Sequence, residues 1–468
     1  MPVQETKQTR HLWRILGLSL CVVLAAAVLS CVLHPAFSPS VCPPDPVTVQ
    51  SQPDTEQLLC IDDNTDALLW RLRVIESAQK RIAMSTFELG VDESGRDLMA
   101  ALKAAADRGV QVQLLVDGGL GMLALPSCDS FEALASTDNV EIRLYNPMNL
   151  LTPWKINYRL HDKYLLADDN VYILGGRNAA NRFLGNYTDE HNVDRDLLIC
   201  TQFPEQDTSQ DQVWQYFTQI WDEPSNRSVA KKQNDAVTKG TQALDARYET
   251  LHQLYPEAFT DTDFLAETQP AHHIQLLHNP HTAAHKEPQL WDALQPILAS
   301  GKDITIQTPY IVCDKAMYND LAQLAQGREM RILTNAIENG ANPWGCADYL
   351  IHKNRILSTG TQVYEFAGGD SLHAKTILVD DHISLVGSFN LDMRSTYLNT
   401  EMLLCVDSPE LNAHLRSRLD QDMAQSRHVM PDGTTTDGAA FNPPSFGFIK
   451  KLLYGMLSIL VLPVRHLL

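Results

Sequence analysis

The sequence lacks an excess of positive charge: 37 Lys and Arg stand against 57 Asp and Glu, a formal net charge of −20. A protein that grips nucleic acid by its phosphates carries a basic footprint, so nucleic acid is not an expected partner, although a local groove can still be basic. Paired cysteines are missing too. Nine Cys are scattered singly with no CxxC, which speaks against a zinc site or a small disulfide scaffold, so no metal is expected. Aromatic residues are sparse at 7%, yet apolar residues reach 44%. That is enough for a large core and excludes a disordered or collagen-like chain. At roughly 150 residues per domain, the 468 residues allow about three domains, or one fold built twice.

Charge is also absent from one long stretch near the start. Ile15 to Leu33 holds no charged residue, Lys7, Arg10 and Arg14 precede it, and no Lys or Arg follows until Arg71. The stretch is long enough to span a bilayer core, and its flanks place residues 1–14 in the cytoplasm and the body outside. A cleaved signal peptide, or a lipoprotein site at Val28-Leu29-Ser30-Cys31, competes with a retained anchor at 15–33. Residues 34–57, rich in Pro and Ser, read as a linker. At the other end, the tail 428–468 contains the nearly unbroken apolar run Leu452–Leu462 between Lys450-Lys451 and Arg465-His466. It is too short to span, so it reads either as an interfacial segment or as a helix docked on the core.

Between these ends the same order of elements occurs twice. Helical spacing over Ala67–Lys80 runs into a strand at Arg81–Phe87, and a helix at Leu98–Arg108, stopped by Gly109, precedes the strand Val110–Val116. The second copy has helices at Leu290–Leu298 and Tyr318–Gln326 and strands at Ile304–Thr308 and Met330–Leu333. The alternation predicts an α/β fold with mainly parallel sheets covered on both faces. The divisions read from it are a first half at 58–228, a polar connector with some helix at 229–271, and a second half at 272–427. Five His between His272 and His285 resemble a metal tract but fall in what reads as a polar loop.

The duplication gives weight to a short motif. His161-x-Lys163-xxxx-Asp168 recurs as His373-x-Lys375-xxxx-Asp380, each followed by a Gly-x-x-Asn turn, Gly175–Asn178 and Gly387–Asn390, and then by an acidic residue, Asp196 or Glu401, on a strand-like run. His and Lys two apart project from one face of a strand. Two imidazoles suit metal-free phosphodiester chemistry. One attacks phosphorus as the neutral base, while the other protonates the leaving alcohol and then deprotonates the incoming hydroxyl. Lys163 and Lys375, with Asn178, Asn390 and Ser388, are the candidates for holding the phosphate oxygens. Asp196 and Glu401 are expected behind the imidazoles, fixing their tautomers. Asp168 and Asp380 complete the catalytic motif and are expected to orient a Lys or turn amides.

The doubled HxKxxxxD motif resembles the hallmark of the phospholipase D superfamily. LHDKYLLADDNVYILGGRNAANRF and LHAKTILVDDHISLVGSFNLDMRSTYLNTEM look most like bacterial cardiolipin synthases. The resemblance implies a duplicated α/β/α sandwich of two pseudo-twofold halves sharing one active site, with His161 as nucleophile and His373 as acid. It implies phosphatidyl transfer between phospholipids, two phosphatidylglycerols giving cardiolipin and glycerol, at a bacterial cell membrane. Partners would be phosphatidylglycerol and, as another candidate, phosphatidylethanolamine. No cofactor is implied, and dimerisation is not required for chemistry. Hydrolysis of phospholipids, a membrane-anchored nuclease or other phosphodiesterase, and a non-catalytic adaptor remain as alternatives, because lipid acceptor and water would use the same His.

Overall fold

The computed structural model describes residues 7–40, 55–119, 125–201 and 207–468. Residues 1–6 and 41–54, which hold part of the expected N-terminal segment and most of the expected linker, lie outside the described residues.

Two sheets of nine strands each carry the duplication. In the first half, strands follow the spatial order Glu56–Ile61, Asp196–Thr201, Val171–Gly175, Tyr164–Ala167, Arg81–Thr86, Gln111–Asp117, Val140–Tyr145. In the second the order is His273–His278, Met402–Asp407, Ile383–Gly387, Thr376–Val379, Asp303–Gln307, Glu329–Asn335, Gln362–Phe366. Strand for strand the two orders correspond, and each sheet gains short strands at its edges. The expectation of mainly parallel sheets is corrected: only the last three strands of each series run parallel, and the remaining pairs are antiparallel. The reason is connection length. Helical crossovers join the parallel strands, whereas three residues join Ala167 to Val171 and Val379 to Ile383, and so short a link forces a hairpin.

Each outer sheet face is covered by its own helices. Asn64–Ser77, Glu93–Asp107 and Asp129–Ser136 bury their apolar faces on the first sheet, and the connector supplies the long helix Asp235–Leu254, which packs over Glu93–Asp107 and Asp129–Ser136 with Leu244 and Leu251 buried. Gln289–Ser300, Lys315–Leu324 and Pro343–Leu357 do the same for the second. The inner faces share one core, in which Leu166 and Leu174 of the first sheet join Leu378 and Val386 of the second. Helices Ser209–Trp221 and Pro409–Ala424 fill it with Phe217, Ile220, Leu415 and Leu419. The His-rich stretch is not a polar loop. Its first part is the strand His273–His278, with Ile274 to Leu277 buried, and the His278 ring packs on Tyr216.

Polar contacts pin the two halves in one register. Ser371-Leu372 pairs in parallel with Asn192-Val193, and Thr400 N donates to Arg159 O at 3.0 Å. Arg195, buried at the seam, binds Asp62 of its own half at 2.8 Å and reaches across to Gln307 and Thr376 at 2.9 and 2.7 Å. Replacing Arg195 by Met strands these acceptors. Breaking such a buried pair costs roughly 3 kcal/mol, so Arg195→Met should lower the midpoint of a denaturant unfolding curve, while Arg418→Met, at an exposed site, should leave it near its original value.

Candidate active site

The residues ahead of each hairpin gather at the seam. Leu160 and Leu372, immediately before the two His, are held by the last residues of the neighbouring parallel strands. Asp117 Oδ2 accepts from Leu160 N at 3.0 Å, and Asn335 bonds both the N and the O of Leu372 at 2.8 and 2.7 Å. The HxK triplets lie just before the strands Tyr164–Ala167 and Thr376–Val379 rather than within them, but Gly175 N to Lys163 O and Gly387 N to Lys375 O continue the ladder. Alternation is therefore kept, and His and Lys share a face as expected.

Each imidazole is held by a carboxylate from the opposite half. His161 Nδ1 is 2.9 Å from Glu401, and His373 Nδ1 is 2.5 Å from Asp194. A carboxylate on Nδ1 fixes the tautomer whose Nε2 carries a free lone pair. Phe87 and Phe183 sit edge-on to the two rings, at 5.4 and 5.0 Å between centroids. Lys163 Nζ donates to His161 O at 2.5 Å, and Lys375 Nζ donates to His373 O and lies 2.8 Å from His373 Nδ1.

Three expectations need correction. Asp196 is not the residue behind His373. It is buried between Arg71 at 2.9 Å and Arg177 at 3.3 Å, and Asp194 holds the imidazole. Sheet register explains the shift: Gly175 pairs with Asp196 but Gly387 pairs with Leu403, so Glu401 corresponds to Asp194, two residues earlier. Gly176 stands where Ser388 stands in the second half, and a Cβ there would meet Asp194 Oδ1 at 2.2 Å, so glycine leaves room for the carboxylate. Ser388 is not free to hold phosphate, because its Oγ donates to Glu401 at 2.6 Å and accepts from Met402 N at 3.0 Å. Asp168 and Asp380 are remote from the imidazoles, at the far ends of their strands. Both adopt positive φ, 46° and 49°. Asp168 accepts from the N–H groups of Gln79, Lys80 and Arg81, and Asp380 from those of Lys302 and Asp303. They clamp turns.

Asn178 and Asn390 lie in the site region, buried, and the Oδ1 of each has no hydrogen-bond partner among the described residues. A buried amide end left unpaired fits a ligand that supplies the missing bond. Asp194, Asp117, Asn335, Phe87, Phe183, Ser395 and Thr400 were missed by sequence reasoning. Ser395 donates to Glu401 at 2.6 Å, and Thr400 Oγ1 accepts from His161 N at 3.0 Å. The one local signal for any of them was the second Asp in Asp194-Arg-Asp196.

Burial governs the charge states. It pushes His161 well below the usual imidazole range, helped by Lys163 and Lys375, and it brings His373 down to about 3, with Lys375 acting the same way. It also lowers Lys163 to about 7 and Lys375 to about 8, and raises Glu401 to about 7. Burial would raise Asp194 as well, but His373 and Lys375 outweigh it and keep that carboxyl ionised. The site so assembled offers two neutral imidazoles, two cations of reduced pKa and two carboxylates.

Residues 72–221 and 294–423 match the family described as "Cardiolipin synthase, PLD-like domain". The chain belongs to this family. Its two matched segments fall on the two halves described above. Relatives include cardiolipin synthase C of Escherichia coli K12, 28% identical over 411 residues, covering 78% of this chain and 84% of that protein. An uncharacterised Helicobacter pylori protein is 26% identical over 432 residues, 82% of each chain. Among solved structures, the phosphatidylserine synthase of Haemophilus influenzae superposes with a TM-score of 0.61 at 15% identity, covering 88% of this chain and 95% of that one. That likeness speaks for the fold. The protein is a phospholipase D-like enzyme related to cardiolipin synthases.

Asp194→Asn should lower kcat by roughly 10²–10⁴-fold, the range for losing a properly set acid–base group. Asp196→Asn should act chiefly on stability, seen as a lower unfolding midpoint with kcat of the folded fraction retained. The opposite pattern would restore the original assignment of Asp196.

Proposed function

We propose that the protein transfers a phosphatidyl group from one phospholipid to another through a phosphohistidine, as a cardiolipin synthase, joining two phosphatidylglycerols and releasing glycerol. The observation that carries this reading is the pair of buried imidazoles, each with Nδ1 on a carboxylate of the opposite half, with the Lys375 ammonium 3.2 Å from Nε2 of His373.

His161 Nε2 attacks the phosphorus of the donor, forming a P–N bond as the P–O bond to glycerol breaks. Protonated His373 gives its proton to the departing glycerol oxygen. His373 then removes the proton from a hydroxyl of the second phosphatidylglycerol, whose oxygen attacks phosphorus and breaks the P–N bond. Lys163, Lys375, Asn178 and Asn390 hold the phosphoryl oxygens where charge accumulates. The anionic phosphodiester raises the pKa of His373 toward the protonated form this step needs, because it opposes the burial and the Lys375 charge that depress it. The apolar helix at the N-terminus, a membrane anchor or a signal sequence by its composition, agrees with a substrate held in a bilayer.

The test is the product spectrum of the purified chain in mixed vesicles of phosphatidylglycerol and phosphatidylethanolamine, read by mass spectrometry beside His161→Ala. Cardiolipin with free glycerol, absent from the variant, is expected. Phosphatidic acid without cardiolipin would make water the acceptor and replace this reading by hydrolysis.

The pH profile offers a second test. A Lys whose pKa is lowered is charged below that value and neutral above it. Lys163 and Lys375 therefore lose phosphate-holding charge as pH rises through about 7 to 8. The ratio kcat/KM, which reports the free enzyme, should fall over that window. The alkaline limb of kcat should lie higher, because bound phosphate stabilises the ammonium forms. Coincident limbs would show that the Lys charges are not what the substrate meets.

A further inference from the structure

Both ends of the chain converge on the segment that leads into His161. Of the helix Lys7–Phe37, the part Leu18–Phe37 is 20 residues of mean hydropathy 2.3 with only 6% of its most apolar window buried. Its last turns rest on Pro153–Asn157: the His34 ring stacks on Trp154 at 4.8 Å, and Asn157 Nδ2 donates to Cys31 O at 2.7 Å. The tail forms the helix Phe448–Val461, docked on Pro343–Leu357 through buried Tyr454 and Val461 and through Ser458, which donates to Ala347 O. The turn after it is tied down on three sides. Arg465 binds Asp348 at 2.6 Å, His466 Nε2 lies 2.8 Å from Val32 O, and Arg394 bonds Leu467 O, Leu468 O and Asn157 O.

Among the described residues, nothing covers one face of this assembly. The helix Phe448–Val461 turns Phe448, Ile449, Leu452, Met456 and Ile459 outward, at i, i+3 and i+4 spacing, while Tyr454 and Val461 take the opposite, buried side. On the loop before Pro153, Leu150 and Leu151 are 85% and 86% exposed. So many exposed large apolar side chains along one helix face and on this loop mark a contact with something other than water.

We infer that this face is a bilayer-binding surface, occupied by the headgroup–acyl boundary of an anionic phospholipid membrane. The turn Leu462–Leu467 that follows the tail helix is bonded directly to the apolar helix Leu18–Phe37. Lys450 and Lys451, exposed in the first turn of the tail helix, give this end of a chain of net charge −20 a local reversal of sign suited to anionic headgroups. At about 1.5 Å per residue, a helix of 14 residues reaches about 21 Å, short of the roughly 30 Å hydrocarbon core, so it lies in the plane of the interface. The consequence is positional: Leu150 and Leu151 enter the interface a few residues before the segment that delivers His161, and a lipid headgroup meets the site without leaving the bilayer. The inference deepens the proposed function by stating how its substrate is presented.

The experiment places p-benzoyl-phenylalanine at Ile459, at Leu150 or, as a control, at exposed Glu249 in the full chain. The protein is reconstituted into vesicles of equal parts phosphatidylcholine and phosphatidylglycerol and irradiated. All three carry His161→Ala, so adduct formation is read whether or not phosphatidyl transfer occurs. Several-fold more lipid adduct at Ile459 and Leu150 than at Glu249 is expected, falling roughly tenfold in pure phosphatidylcholine as the electrostatic attraction is lost. Cross-linked dimers at Ile459 would assign the face to a second copy of the chain and overturn the inference. So would adduct yields at Ile459 and Leu150 equal to that at Glu249.

Discussion

The structure turns on two crossed contacts, Glu401 to His161 and Asp194 to His373. A buried imidazole needs an acceptor for its Nδ1–H, and here neither half provides one for its own motif. Burying a polar group without its partner is costly, and in a half alone each imidazole would lack the carboxylate that binds its Nδ1. Docking the halves satisfies both at once, and it does so in only one register. The strand pair at Asn192-Val193 and Ser371-Leu372 and the bond from Thr400 to Arg159 lie beside the crossed contacts and enforce that register. Fold and site thus impose the same geometric condition.

The duplication is imperfect where chemistry would benefit from difference. Glu401 is held by Ser388, Ser395 and Asn399 besides His161, a set of donors that fixes it deep in the second half. Asp194 sits against Gly176, where no hydroxyl can assist it; it bonds the His373 ring, and Lys375 supplies positive charge beside it. The His161 side chain is about half as exposed as that of His373, 10% against 21%. A rigid, shielded imidazole suits a nucleophile that must hold a covalent phosphoryl group. A more accessible one suits a group that exchanges protons with two successive alcohols.

The doubled motif was legible because His161, Lys163, His373 and Lys375 interrupt otherwise apolar strand segments at a spacing repeated in the second half. Helix and strand order was legible from periodicity, except that hairpin links as short as 168–170 outweigh the helix–strand alternation elsewhere and make most pairings antiparallel. What stayed hidden depends on contacts between distant segments. Asp194 lies sixteen residues after Asn178 whereas Glu401 lies eleven after Asn390, because the first half carries a longer loop that delivers Phe183 to the His373 ring. That insertion blurred the alignment and let Asp196, on the same strand face as Asp194, take its place. Ser388 reads as a phosphate ligand by its turn. Only the position of Glu401 shows that its hydroxyl is engaged. Asp117 and Asn335 support the residue before each His from strands dozens of residues away, and no local pattern encodes that.

The charge balance of the site also bears on what it can bind. Burial drives both imidazoles and both ammonium groups toward their neutral forms, while the carboxylates and the unpaired amide oxygens of Asn178 and Asn390 face a region short of positive charge. A neutral ligand would leave the Lys groups partly uncharged. An anionic phosphodiester reverses each term: it favours the ammonium forms of Lys163 and Lys375, draws a proton onto one imidazole, and accepts from the amides if their side chains turn the NH2 end inward. On the proposed function, binding of such a substrate would be coupled to proton uptake, and the proton taken up would be the one the leaving alcohol requires. A site that becomes fully charged only when its anion arrives holds its cations in reserve, and burial, the same constraint that joins the two halves, is what keeps them so.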